Sequence, residues 1–213
     1  MAKRKRPVTE ELAARPSKRS DILKAARELF LEHGFASTSV DAVVAASGVS
    51  KPTVYSHFSS KEALLEAVVR AEAERLDRPI EFRPTGDPVR DLERVAHALT
   101  AMALAPETLA WDRMMAGEAR RKPDLGRVFF DCGPRRVVAV LAEFFRQLAA
   151  GGGIEVPDPE GAAEFFFGMA VGLPLLRAQL TGGPDPRDAS PARCREVAAR
   201  FLRAYAPNRP NHQ

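Results

Sequence analysis

The chain has 213 residues, 45% of them hydrophobic, with 32 Lys and Arg against 28 Asp and Glu and a formal net charge of +4. That apolar share excludes global disorder, and two cysteines, Cys132 and Cys194, exclude a disulfide framework or a cysteine metal cluster and fit a reducing compartment. No apolar run reaches the roughly 20 residues that span a bilayer, and the basic start MAKRKRP leads into no apolar signal region, so a cytoplasmic protein with no membrane partner and no cofactor is expected.

The positive charge is concentrated at one end. Residues 1–60 hold ten basic and six acidic side chains, whereas residues 61–213 hold 22 of each. Residues 1–20 alone carry seven basic and two acidic groups, which suggests a polyanion partner there.

Apolar residues recur at spacings of three and four, and period-two alternation is almost absent, so the fold class is all-α, with about nine helices. Residues 1–17, interrupted by Pro7 and Pro16, read as a disordered basic arm. A first helix is expected from about Ser20 to His33, with Ile22, Leu23, Ala26, Leu29 and Phe30 on its apolar side and Gly34 as its stop. Thr38-Ser39-Val40-Asp41 has a capping-box pattern and opens a short second helix to about Ala46. Ser47-Gly48-Val49 is a tight turn, and Ser50 can cap a third helix over residues 51–57, with Pro52 tolerated in its first turn. A fourth helix runs from Lys61 to about Asp77. The boundary between an N-terminal domain (18–77) and a larger helical domain (78–206) falls at the proline-rich stretch 78–88, and residues 207–213 form a tail. In the second domain, helices are expected over 88–105, 106–121, 123–150 with a break at Gly133-Pro134, 159–180 and 190–206.

Two short helices joined by a glycine-containing turn, behind a longer packing helix, make a helix-turn-helix, whose second helix enters the DNA major groove. ILKAARELFLEHGFASTSVDAVVAASGVSKPTVYSHFSSKEALLEAVV, residues 22–69, resembles the DNA-binding domain of TetR-family transcriptional regulators without a gap. Residues 123–206 resemble, more loosely, the C-terminal halves of efflux-type repressors of that family. The resemblance implies a homodimer that binds a palindromic double-stranded DNA operator and releases it when a small-molecule effector enters the C-terminal domain. It places Lys51, Pro52, Thr53 and Ser56 nearest the base edges, and Tyr55, His57 and Lys61 at backbone phosphates. The chemistry fits: Lys51 can donate to guanine, Pro52 can meet a thymine methyl, and Tyr55 can donate to a phosphate oxygen. Lys61 lies at a helix N-terminus, which favours an anion. Thr38 or Ser39 can add a phosphate contact, although capping alone accounts for either.

In the larger domain, FFFGMAVGLPLL at 165–176 has apolar residues all round and must be covered on opposite faces, by its own core and by a second subunit. The expected dimer residues are Phe166, Phe167, Ala170, Val171 and Leu175 with Val197 and Phe201 of the last helix. Pro174 should kink the first of these helices. A pocket for a hydrophobic effector is expected among Leu99, Met102, Trp111, Met114, Met115, Phe129 and Phe130, adaptable and aromatic side chains that suit plain core equally well. The function read from these features is a ligand-responsive transcriptional regulator, most simply a repressor. An architectural DNA binder using the same domain is the alternative, against which the neutral C-terminal portion argues. No nucleophile, metal or phosphate-loop pattern points to an enzyme.

Overall fold

The computed structural model describes residues 17–76 and 82–206, and the proposed arm up to residue 16, the start of the proline-rich stretch (78–81) and the tail lie outside them. All regular structure among the described residues is helical. The chain divides into two compact units between Val68 and Val69, inside a helix rather than at the proline-rich stretch.

In the first unit, α1 (Lys18–His33) starts where the Ser17 hydroxyl accepts the Ser20 N–H at 3.1 Å. It buries Ile22, Ala25, Ala26 and Phe30, and stops at Gly34, whose φ of +79° is open to glycine at no steric cost. The next helix, α2 (Val40–Ser47), is capped by Ser39, which accepts the Ala42 N–H at 3.0 Å. Thr38 is therefore one residue outside the cap. Gly48 takes the left-handed conformation at φ +66° and turns the chain into α3 (Lys51–His57). The Ser50 hydroxyl does not cap α3 but bonds the Thr53 hydroxyl at 2.8 Å. Val43, Val49, Val54 and Phe58 are buried, as are Phe30 and Phe35, whose rings meet edge to face at 5.4 Å. Each such large side chain contributes roughly 1.5–3 kcal/mol by leaving water. This burial is what holds a seven-residue helix too short to be stable alone. Helix α4 (Lys61–Leu76) begins where the Ser60 hydroxyl accepts the Ala63 N–H, and buries Leu64, Leu65, Val68 and Val69.

The second unit contains α5 (Pro88–Ala103), α6 (Pro106–Ala119), α7 (Pro123–Cys132), α8 (Pro134–Ala150), α9 (Pro159–Phe167), α10 (Leu173–Leu180) and α11 (Pro191–Ala204). Each has proline as its first residue except α10, in which Pro174 is second. Asp87, Asp158 and Ser190 cap α5, α9 and α11 with side-chain oxygens. The break expected at Gly133-Pro134 separates α7 from α8. Helices α8 and α9 pack together, as do α5 and α11. The centre of their core is aromatic: Phe145 stacks on Phe201 at 4.8 Å, and Phe166 meets both rings edge-on at 5.5 and 5.0 Å.

Residues 159–180 form one continuous helix whose middle, Gly168–Gly172, is a π-helix. Pro174 is the physical cause: it has no N–H to offer the Ala170 carbonyl and its ring would collide with it, so the turn ahead of it widens. Other helices supply donors to the freed carbonyls. Thr100 Oγ1 lies 3.4 Å from the Ala170 carbonyl, and the Arg193 guanidinium donates to that of Met169 at 2.9 Å. By length and composition this 22-residue helix could cross a membrane. Its inner line of Ala162, Phe166, Ala170, Val171 and Ala178 is nevertheless part of the protein core.

Candidate DNA-reading face and ligand cavity

Helix α3 buries Val54 and turns Lys51, Pro52, Tyr55, Ser56 and His57 outward, with Thr53 half-buried beside them. Exposure of a large aromatic is informative here, because Tyr55 leaves 47% of its surface in solvent without covering the core. Ser56 donates to the Thr53 carbonyl at 2.8 Å, and the exposed Ser39 caps α2. Lys51 is not isolated: its ammonium lies 2.7 Å from the Asp41 carboxylate on α2. That hydrogen bond holds the Lys51 ammonium above its ordinary pKa. Asp41 thus holds Lys51 across the turn, a contact concealed by reading Asp41 as a capping residue.

Two residues expected at phosphates are engaged within the chain. The Lys61 ammonium donates to the carbonyls of Phe35 and Thr38 at 2.8 Å and of Ala36 at 3.3 Å, and stands 4.5 Å from the centre of the Phe35 ring. Its three N–H groups are thereby engaged by the loop between α1 and α2. Thr38 is 3% exposed, and its hydroxyl faces the Gly34 and Leu29 carbonyls at 2.9 and 3.2 Å. Both residues lock the α1–α2 loop, because a loop folded this tightly leaves several buried carbonyls needing donors. A lysine aimed back along the chain leaves no periodic trace in a sequence.

The second unit holds a partly open cavity of about 670 Å³. Met102, Trp111, Met115, Phe129 and Phe130 line it, as expected, and Phe130 also stays half exposed. Leu99 does not line it: it is fully buried in the core between α5 and its neighbours. Met114 is also absent from the wall, because the lining face of α6 runs through Glu107 and Thr108, Trp111 and Asp112, Met115 and Ala116, and Ala119, repeating every four residues. Asp112 and its hydrogen-bond partner Gln179 were not anticipated, although the i, i+4 placement of Thr108 and Asp112 on the Trp111 face is visible in the sequence. Burial pushes the Asp112 carboxyl up to about 6, while the hydrogen bond with Gln179 acts in the opposite direction.

The expected dimer residues need the largest correction. Phe166, Ala170, Val171, Val197 and Phe201 are buried inside one subunit, and Phe167 and Leu175 are half-buried and line the cavity. The outward apolar line is instead Phe165, Leu173, Leu176 and Leu180, between 51% and 76% exposed. The helix is covered on one face and apolar on the other, as its composition requires. The π segment shifts which residues occupy which face, since each wide turn holds more than 3.6 residues.

Comparison with known proteins agrees with this architecture. Residues 22–68 match the family described as bacterial regulatory proteins, tetR family, and residues 90–207 match the AefR-like transcriptional repressor, C-terminal domain. The chain is 47% identical over 57 residues to the HTH-type transcriptional regulator UidR of Escherichia coli, a stretch that is 27% of this chain and only 29% of that protein. It is 28% identical over 181 residues to the HTH-type transcriptional repressor Rv1474c of Mycobacterium tuberculosis, covering 84% of this chain and 88% of that one. Among solved structures, the Flavonoid-responsive Regulator FrrA superimposes with a TM-score of 0.79 at 32% identity, over 90% of this chain and 98% of that one. A TetR-family regulator from Mesorhizobium loti gives 0.77 at 30%, over 92% and 99%. These relatives are transcriptional regulators, not enzymes, and the chain belongs to the TetR family of DNA-binding transcriptional regulators.

Proposed function

We propose that the protein is a ligand-responsive repressor that binds a palindromic operator as a homodimer and is released by a small, largely apolar molecule. The observation that carries this reading is the cavity of about 670 Å³ walled by Trp111, Met115, Phe129 and other apolar side chains, a volume in the range of small-molecule sites. FrrA, similar over nine-tenths of this chain, is by its name responsive to a flavonoid, and Rv1474c is named a repressor. On the DNA side, Lys51 donates to a guanine edge, Pro52 meets a thymine methyl, and Thr53 and Ser56 complete the base-facing set. Tyr55, His57 and Ser39 reach phosphates. The line of Phe165, Leu173, Leu176 and Leu180 forms the homodimer face. Helix α4 carries Leu64 and Leu65 in the first unit and Val69 and Glu72 in the cavity wall, so a ligand that moves α4 shifts the population of DNA-competent dimers.

The test begins with selection of bound duplexes from a random pool by the full-length protein, followed by footprinting at physiological salt. Inverted half-sites about one helical turn apart (~34 Å), or a multiple of it, are expected. Binding with no preference over random duplex would overturn the repressor reading. Leu173→Glu combined with Leu176→Glu should yield a monomer by sedimentation. An unchanged dimer would move the interface elsewhere.

A further inference from the structure

We infer that the effector is an apolar cation, with its positive charge held at the wall formed by Thr108, Asp112 and Gln179. The inference rests on the ligand-responsive reading above and specifies what the cavity admits. Three observations carry it.

The first is the state of Asp112. Its carboxyl is partly buried in the cavity wall, which disfavours the ionised form, and its hydrogen-bond partner Gln179 is neutral. Among the described residues no lysine or arginine pairs with it. A desolvated carboxylate without a cation is costly to maintain, and a methylene-bearing side chain would fill the same wall without that cost. A positive ligand supplies the missing counter-charge inside the low-dielectric cavity, where the attraction is least screened.

The second is the sign of the whole lining. Glu72 and Glu107 join Asp112 as acidic members of the wall, and Arg136 is the one basic member. An anionic ligand would meet the Asp112 carboxylate at short range. The third is the aromatic surface. Trp111 and Phe129 line the same cavity, and the faces of such rings attract a cation while the rest of the ligand packs on Met102, Met115 and Val140. Charge recognition at Asp112 and apolar packing elsewhere therefore select one chemical class.

Trp111 is the single tryptophan of the chain and sits in the cavity wall, so its fluorescence reports occupancy directly. The full-length protein is titrated at pH 7.5 with three probes of similar shape: tetraphenylphosphonium, neutral triphenylphosphine oxide and anionic tetraphenylborate. The cation should bind at least about tenfold more tightly than the neutral probe, a difference of about 1.4 kcal/mol, and the anion more weakly than either. Asp112→Asn should abolish that preference while retaining a helical circular-dichroism spectrum and cooperative melting, which shows that the variant is folded. Asp112→Glu should restore most of it. Equal binding of cation and neutral probe, or a preference that survives Asp112→Asn, overturns the inference. If the neutral probe binds and releases DNA while the cation does neither, the apolar-cation inference fails and the ligand-responsive reading stands. If no probe, and no compound of a broad panel, alters Trp111 fluorescence or DNA binding, both fail.

Discussion

The two units of this molecule solve opposite problems. The N-terminal unit keeps Val43, Val49, Val54 and Phe58 inside so that Lys51, Tyr55 and Ser56 stand outside on a short, stiff helix. The C-terminal unit builds an aromatic core around Phe145, Phe166 and Phe201 and leaves about 670 Å³ beside it unfilled. In the first, the proposed DNA contacts sit on the surface, and Ser17, Ser39 and Ser60 each serve a backbone N–H three residues on. In the second, the proposed ligand site lies inside, and Arg193 reaches from the last helix to the Met169 carbonyl. A surface site tolerates substitution without loss of the fold, whereas an internal site shares its walls with the core.

The sharpest way to break that contrast is to cut one core at a time. Phe166→Ala should cost about 3–5 kcal/mol in denaturant unfolding, and should abolish ligand binding. Phe30→Ala should destabilise by a comparable amount yet leave Trp111-reported ligand binding intact, since Phe30 lies in the other unit. Loss of ligand binding in Phe30→Ala would show that the units do not keep their functions apart.

Asp112→Asn tests the internal site by pH. The Asp112 carboxyl titrates at about 6 in the folded protein against an ordinary 3.8, so the folded state holds its proton more tightly than the unfolded chain. Stability from this group is therefore gained as pH falls through about 6 and is complete below about 4; it is lost as pH rises. The gap corresponds to at most about 3 kcal/mol. Asp112→Asn should raise the melting temperature at pH 7.5 and flatten the ligand-free stability profile between pH 4 and 6. A variant less stable than the parent at pH 7.5 would contradict the burial penalty.

Lys61→Met distinguishes an architectural lysine from a phosphate contact. Removing three charge-assisted hydrogen bonds to carbonyls should destabilise the protein by about 1.5–3 kcal/mol. Operator affinity should fall with it, while the slope of log affinity against log salt stays unchanged. A slope reduced by about one would return Lys61 to the DNA backbone. The smallest effect belongs to Tyr55→Phe, which should weaken operator binding by about 1.5 kcal/mol through one lost phosphate hydrogen bond, with no change in melting temperature. A loss of stability there would make Tyr55 a packing residue.

Much of the first unit was legible because its signals are local. The Gly34 stop, the turn at Gly48 and the short helix at 51–57 each act within four or five residues, and the structure departs at the caps, with Ser39 instead of Thr38 capping α2 and no side-chain cap from Ser50 on α3. The break at Gly133-Pro134 was readable for the same reason. Side-chain direction over long separations was not. Lys61 reaches back 23 to 26 residues to its carbonyls, and Leu99 and Met102, three residues apart on one stripe, part into core and cavity wall.

By itself the sequence determined an all-helical chain with a DNA-reading helix at 51–57, because hydrophobic period, caps and turn glycines express themselves within a few residues. Only the tertiary structure decided which residues face outward on the helix at 159–180 and which enclose the cavity. Pro174 changes the local period there, so that Phe165, Leu173, Leu176 and Leu180 turn to solvent while Phe166 and Val171 turn in. A cavity is the space that several helices fail to fill together, and no single helix carries its outline.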